Sequence, residues 1–221
     1  MMWLRSLPGA MGGLMVLGAL LLPVVAHAGA AEDYDEGYKQ YSAGDVVGSM
    51  ATLRRAADAG HAEAQALLGD ILDKAEEDEE AVAYYRKSAA QGNAHGQYGL
   101  GSMYATGEGV EANAKEAQKW VRKSAEQGFK LAVIMLAQSY AKGGLGLTDE
   151  ERAAPEGMAW LKKAADMEFL PSMEALLTVY REGGFGQAPD AQAADQLADK
   201  IRKMIVQKGK KGRKGAPEAK K

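Results

Sequence analysis

The chain of 221 residues has no cysteine and only three histidines. The first absence excludes a disulfide-stapled scaffold, thiolate metal sites, cysteine nucleophiles and an N-terminal lipidated cysteine. The second leaves too few imidazoles for a multi-histidine metal centre. Aromatic residues amount to only 7%, so any core must be built mainly from aliphatic and small side chains. No segment alternates apolar and polar residues over a strand's length, which argues against a sheet. No apolar run reaches the ~20 residues that a membrane-crossing helix needs.

What is present is strongly uneven in charge. The formal net charge is −3, yet residues 31–199 carry 16 Lys/Arg against 29 Asp/Glu, a balance of −13. Residues 200–221 carry ten Lys/Arg against Glu218 alone, a balance of +9. An acidic body with a basic end suggests a tail that meets an anionic surface.

Residues 1–30 have the form of an export signal. Arg5 supplies the positive start, Leu14–Leu22 the apolar centre, and Ala26-His27-Ala28 or Ala28-Gly29-Ala30 the small-x-small pattern that precedes cleavage. Cleavage is expected after Ala28 or Ala30, which directs the protein to the periplasm or outside the cell. Without cleavage the same segment would remain as a membrane anchor. After cleavage no membrane-spanning segment is expected.

The body repeats itself. YRKSAAQG at 85–92 matches VRKSAEQG at 121–128 in six of eight positions, an offset of 36, and WLKKAA at 160–165 repeats WVRKSA at 120–125 at an offset of 40. Tyr104, Tyr140 and Tyr180 each precede a glycine by three residues. Leu68, Leu100, Leu136 and Leu176 each lie four residues before Leu72 or one of these tyrosines. The boundaries that follow are 61–92, 93–128, 129–168 and 169–207, after a partial unit at 32–60. Each unit reads as two helices. In the clearest, helix A spans 94–106, with Leu100, Met103 and Tyr104 on one face. Gly96 and Gly101 let a neighbouring helix approach closely, and Gly107–Val110 turns the chain. Helix B spans 114–127, with Asn113 as N-cap, Trp120, Val121 and Ser124 as its buried stripe, and Gly128 as its stop. Stacked hairpins of this kind bury a continuous core that one hairpin alone cannot.

The pattern A-x-G/A-x-x-x-L-G-x-x-Y-x-x-G-x-G-V, followed by K-x-A-x-x-W-x-x-K-(A/S)-A-x-Q-G, resembles the Sel-1-like repeat, a relative of the tetratricopeptide repeat. The likeness runs over about residues 32–207 and is nearly complete at 94–128. Residues 61–92 lack the Gly-x-Gly-Val turn. Residues 169–207 have Leu197 where tryptophan is expected. The resemblance implies an all-α, right-handed α-solenoid of stacked helical hairpins over 31–207. It implies a non-catalytic scaffold or adaptor binding a protein or peptide, with no cofactor and no metal. Some such proteins have been assigned β-lactam hydrolysis, but those have cysteine-rich repeats.

Other features have plainer alternatives. The glycine loops 107–109, 143–146 and 183–186 follow helices and lack Gly-Lys-Ser/Thr, so they read as turns rather than phosphate cradles. Glu76–Glu80 is either an acidic docking patch or the negative first turn of a helix. His61 and His95 occupy unequal repeat positions and read as surface residues at turns. Leu145, Leu147 and Phe185 lie in loops, where they either cover the adjacent turn or face a ligand. Thr148 or Asp149 suits a helix start, and Pro155 a first turn.

The expected function is an interaction scaffold of the bacterial envelope, with a partner segment held on the concave surface lined by helix A. Groove candidates are Gln65, Asp70, Tyr98, Ser102, Gln138 and Thr178, which sit between core positions. Residues 208–221 are expected to be a disordered basic tail. Its Lys208, Lys210, Lys211, Arg213 and Lys214 offer a second reading, binding of an anionic glycan or lipid surface rather than nucleic acid. A third reading is an envelope hydrolase of β-lactamase-like type, for which no nucleophile elbow is present.

Overall fold

The structure, a computed structural model, describes residues 22–214 and the side chains of 29–208. Among the described residues it is all-α, with one isolated bridge between Gly184 and Gln187. Residues up to His61 and residues from Ala62 onward form two compact units.

The first unit is the hairpin of α1 (Leu22–Ser42) and α2 (Val46–Asp58). Asp45 caps α2 by accepting from the Gly48 amide at 2.9 Å. Gly37 lies against Leu53, where a Cβ would sit 2.8 Å from the leucine side chain. Arg55 pairs with Asp33 at 2.5 Å, and His61 stacks on Tyr34 at 4.6 Å between ring centres. Residues 1–21 of the expected export signal lie outside the described residues. Residues 22–30 run within α1. None of the described helices is long and apolar enough to cross a membrane.

The second unit is a run of four hairpins. These are α3 (Ala62–Lys74) with α4 (Asp78–Ala90), α5 (Ala94–Thr106) with α6 (Ala114–Glu126), α7 (Lys130–Lys142) with α9 (Glu156–Asp166), and α10 (Leu170–Glu182) with α11 (Ala191–Lys214). The short α8 (Asp149–Ala153) lies in the third loop. Helix A of each unit is therefore α3, α5, α7 or α10. Successive hairpins pack B against the next A, and α3 also touches α5. The recurring leucines Leu68, Leu100, Leu136 and Leu176 are all buried, as the repeat arithmetic requires. Val121, Leu136, Leu161, Met173 and Leu176 share one core that extends to Met204 in α11.

Polar ties also recur. Ser88 and Ser124, 36 residues apart, donate to the Ala62 and Ala94 carbonyls at 2.7 and 2.6 Å, tying each helix B to the start of its helix A. Gly107 ends α5 in the left-handed region at φ +85°, and Asn113 caps α6 through two amides. Thr148 and Glu151 form a reciprocal capping box on α8. Glu77 is the N-cap of α4, and Asp78–Glu80 form its first turn, so part of the acidic run has the helix-start role.

Two expectations need correction, and one pair of alternatives is decided. Trp120 is only half-buried, unlike Val121 and Ser124. Its indole donates to Glu116 at 2.9 Å and lies under Lys119 and Lys123, so its polar edge stays at the surface. Of the two readings of Leu145, Leu147 and Phe185, the covering one holds: they pack against the core. Finally, the basic tail is not irregular from Lys208: the backbone stays helical to Lys214. Burial of Ala194, Leu197 and Met204 nucleates α11. Adding lysine and arginine to a helix already formed costs little. Residues 215–221 lie outside the described residues.

Candidate functional site

A repeat protein supplies its own comparison, because equivalent positions share one backbone geometry. Positions that hold the fold repeat their residue. Positions free of that duty vary. On helix A, the positions of Asp70, Ser102, Gln138 and Thr178 are equivalent, as are Glu63, His95, Leu131 and Pro171, and also Ala66, Tyr98, Ile134 and Glu174. These sets differ in every repeat. Their spacing of i, i+3, i+7 places them on one face of each helix.

The variable face gathers a polar and aromatic cluster across α3, α5 and the start of α7. Asp70 accepts from the Tyr85 hydroxyl at 2.7 Å, and His95 Nε2 lies 2.9–3.0 Å from both its carboxylate oxygens. The His95 ring stacks on Phe129, with centres 5.3 Å apart and planes 17° apart. Tyr98 meets the same Phe129 ring in a tilted contact at 5.4 Å. Asp70 and His95 remain accessible, at 28% and 32% of their side-chain surface.

The local electrostatics are negative. Burial pushes the Asp73 carboxyl above the usual aspartate range, and the charges of Glu108, Asp78 and Asp70 add to this, with Lys74 opposing. Burial, followed by the charges of Asp70 and Asp73, also pushes the Tyr98 phenol up. Tyr85 is raised for the same first reason, and its bond to Asp70 contributes.

The six groove candidates have different fates. Asp70 and Tyr98 belong to the cluster. Ser102 and Gln138 are half-buried and Thr178 is exposed, all at the position equivalent to Asp70. Gln65 is a correction. It is buried and accepts from Gln91 at 2.7 Å, as Gln97 accepts from Gln127 at 2.8 Å in the next hairpin. This glutamine pair ties helix A to helix B and lines no groove. His95 is a second correction, because it is part of the cluster rather than a plain turn residue. Asp73, Tyr85 and Phe129 were not foreseen. Setting the four repeats in register would have shown that the columns of His95 and Asp73 hold no residue common to all four. Of the basic candidates, Lys208 is exposed, and Lys210, Lys211, Arg213 and Lys214 lie on the helical backbone of α11.

His95 and Asp70 resemble the base and orienting acid of a hydrolase, but the geometry differs. Nε2 is turned to the carboxylate and the ring is covered by Phe129. Ser102 is two turns from His95, ~10 Å along the helix. The cluster leaves donors, acceptors and rings at an accessible face. Among the described residues no group of His, Asp and Glu is placed to hold a metal ion.

The comparisons with known proteins agree with this architecture. Residues 62–93, 94–129 and 131–169 each match the Sel1 repeat. A protective antigen of uropathogenic Escherichia coli with an SLR fold superposes with a TM-score of 0.69 at 28% identity, over 86% of this chain and 41% of that one. A Sel1 repeat protein from Oxalobacter formigenes gives 0.65 at 28% identity, over 74% and 67% of the two chains. DAP3-binding cell death enhancer 1 of Rattus norvegicus is 38% identical over 82 residues, 36% of this chain and 16% of that protein. An F-box protein of Arabidopsis thaliana is 43% identical over 61 residues, 28% and 17% of the two lengths. The matched segments thus span about a sixth of these curated relatives. Such folds typically act as non-catalytic scaffolds for protein–protein interaction, and this chain, with three matched repeats in a helical solenoid, is a Sel1-repeat protein.

Proposed function

We propose that the protein is an interaction scaffold of the bacterial envelope, holding an extended protein segment along the α3–α5–α7 face. One observation carries this reading. Asp70, His95 and Tyr98, at positions that vary between repeats, converge on one accessible face, while the recurring leucines are buried. Aromatic anchors beside satisfied polar groups are the usual composition of a recognition hot spot. Leu131, at the position of His95 in the next repeat, is half exposed and extends the face with an apolar contact.

Crosslinking in living cells tests the reading. His95→Ala with Tyr98→Ala should remove the partner captured by the native chain, while leaving the helical circular dichroism and melting profile intact. Retention of the same partner would sink this face as the site. The envelope location rests on residues 1–30, and fractionation with N-terminal sequencing examines it. Mature protein starting at residue 29 or 31 in the periplasm is expected, and an intact chain in the cytoplasm would contradict it.

A further inference from the structure

The recognition face is acidic as well as aromatic, and the charge is local. Residues 62–111 carry ten Asp/Glu against three Lys/Arg, whereas residues 112–169 carry eight against nine. The negative balance is therefore concentrated in the hairpins that supply Asp70, Asp73 and Tyr98. Among the described residues, neither the Asp73 carboxylate nor the Tyr98 hydroxyl has a hydrogen-bond partner. Asp73 lies one turn beyond Asp70 on the same side of α3, which packs on the α5 that carries Tyr98; a half-buried carboxylate among like charges and a tyrosine ring on neighbouring helices each attract a cation.

The same chain carries a concentrated source of cations. Lys208–Lys214 holds five Lys/Arg in seven residues. Met204 is the last buried residue of α11 among those whose side chains are described, and the helix continues ten residues past it, ~15 Å, with Ile205 and Val206 half exposed on the way. Between this helix and α5 stand the hairpins built on α7 and α10. With helices 8–10 Å apart, that separation is about 20 Å or more. A helical segment of ~15 Å that leads out of the last hairpin does not bend back across it.

We propose that the Lys208–Lys214 segment of one copy docks on the Asp70–Asp73–Tyr98 face of a second copy. The inference rests on that face being the recognition surface, and it names one occupant. A lysine or arginine lies over the Tyr98 ring with Asp73 as its counter-ion. The contact is head to tail, so each copy keeps one unused face and one unused tail, and association propagates.

Sedimentation velocity on the mature full-length chain tests this. At 50 mM salt the average mass should rise with protein concentration, and at 300 mM the association should weaken by about tenfold or more, as expected of exposed charges. A tail variant, with Lys208, Lys210, Lys211, Arg213 and Lys214 all changed to Gln, should stay monomeric. So should a face variant, Asp73→Asn with Tyr98→Ala. Mixed, the two should form a 1:1 dimer that does not grow, because one supplies the intact tail and the other the intact face. A control that removes the same single charge elsewhere, Glu150→Gln, should associate like the native chain.

The proposal is overturned if the native chain is monomeric at low salt or if the tail variant still associates. It also fails if the control loses association equally or if the mixture gives no dimer. A monomeric chain whose tail variant loses binding to anionic phospholipid vesicles would assign the tail to a lipid surface instead. Crosslinking separates the two levels. If the tail variant keeps the cellular partner, the scaffold reading stands without this docking. If the face variant keeps it, the scaffold reading fails.

Discussion

Tyr85 is wedged between two helices that carry glycine where it passes. A Cβ at Gly69 would lie 2.7 Å from its ring, and one at Gly99 would collide with the same edge. Gly99→Ala should therefore cost about 1–3 kcal/mol by overpacking, read as a lowered denaturant midpoint at unchanged slope. An unshifted midpoint would show that the ring can step aside. Asp73 should behave in the opposite way. Its pKa is raised on folding by burial and by its acidic neighbours, so folding is penalised increasingly as the pH rises above the unfolded aspartate value, and fully once it passes the raised one. Asp73→Asn should melt at a higher temperature than the native chain at neutral pH, with the gain vanishing below pH ~4, where aspartate is protonated in either state. A gain independent of pH would point to another cause. On the proposed reading of this face, a residue that weakens the fold is the expected trade between binding and stability. The buried leucines were legible in the sequence because they keep one period. The cluster was not, since Asp70, His95 and Phe129 lie 25 and 34 residues apart along the chain and meet only when hairpins stack.

At the level of elements, most boundaries follow from short-range chemistry. Helix A of 94–106 begins and ends where the sequence places it, because Asn93 and Gly107 are strong terminal residues. The corrected elements are those where tertiary contacts decide. Nothing local separates Trp120 from Trp160, yet Trp160 is 9% exposed and Trp120 is half-buried. Trp160→Ala should cost about 3–5 kcal/mol and Trp120→Ala distinctly less, measured by equilibrium unfolding. Equal losses would mean that the lysines over Trp120 seal it as well as a core does. The loop segment 145–154 was legible as a helix start at Thr148, and the covering role of Leu145 and Phe185 as one of two readings, but their backbone geometry was not. Both adopt left-handed backbone, at φ 49° and 51°, a conformation that sequence pattern alone does not signal for such residues.

At the level of the whole molecule, the second half of the solenoid is joined by charge as well as by its core. Arg122 of α6, Tyr140 of α7 and Glu156 of α9 meet in one network. Burial pushes the Glu156 carboxyl up, but hydrogen bonds from Trp160 and Tyr140 and the charge of Arg122 outweigh it and hold the pKa below the ordinary glutamate value. A lowered pKa contributes stability that is full above the unfolded value near pH ~4.3 and is lost as the pH falls through the folded one. Glu156→Gln should then melt earlier than the native chain at pH 7, and the two curves should converge in acid. A gap that persists in acid would show that its role is packing.

The grip on Tyr85 also has a mechanical meaning. A ring held by glycines of two successive hairpins acts as a pin. Sliding α3 along α5 by one residue would bring a side chain against the ring, so the register between hairpins is locked. Rocking about the ring meets no such stop. The stack is therefore stiffer to sliding than to hinging, and the positions of equivalent residues along it stay in fixed register.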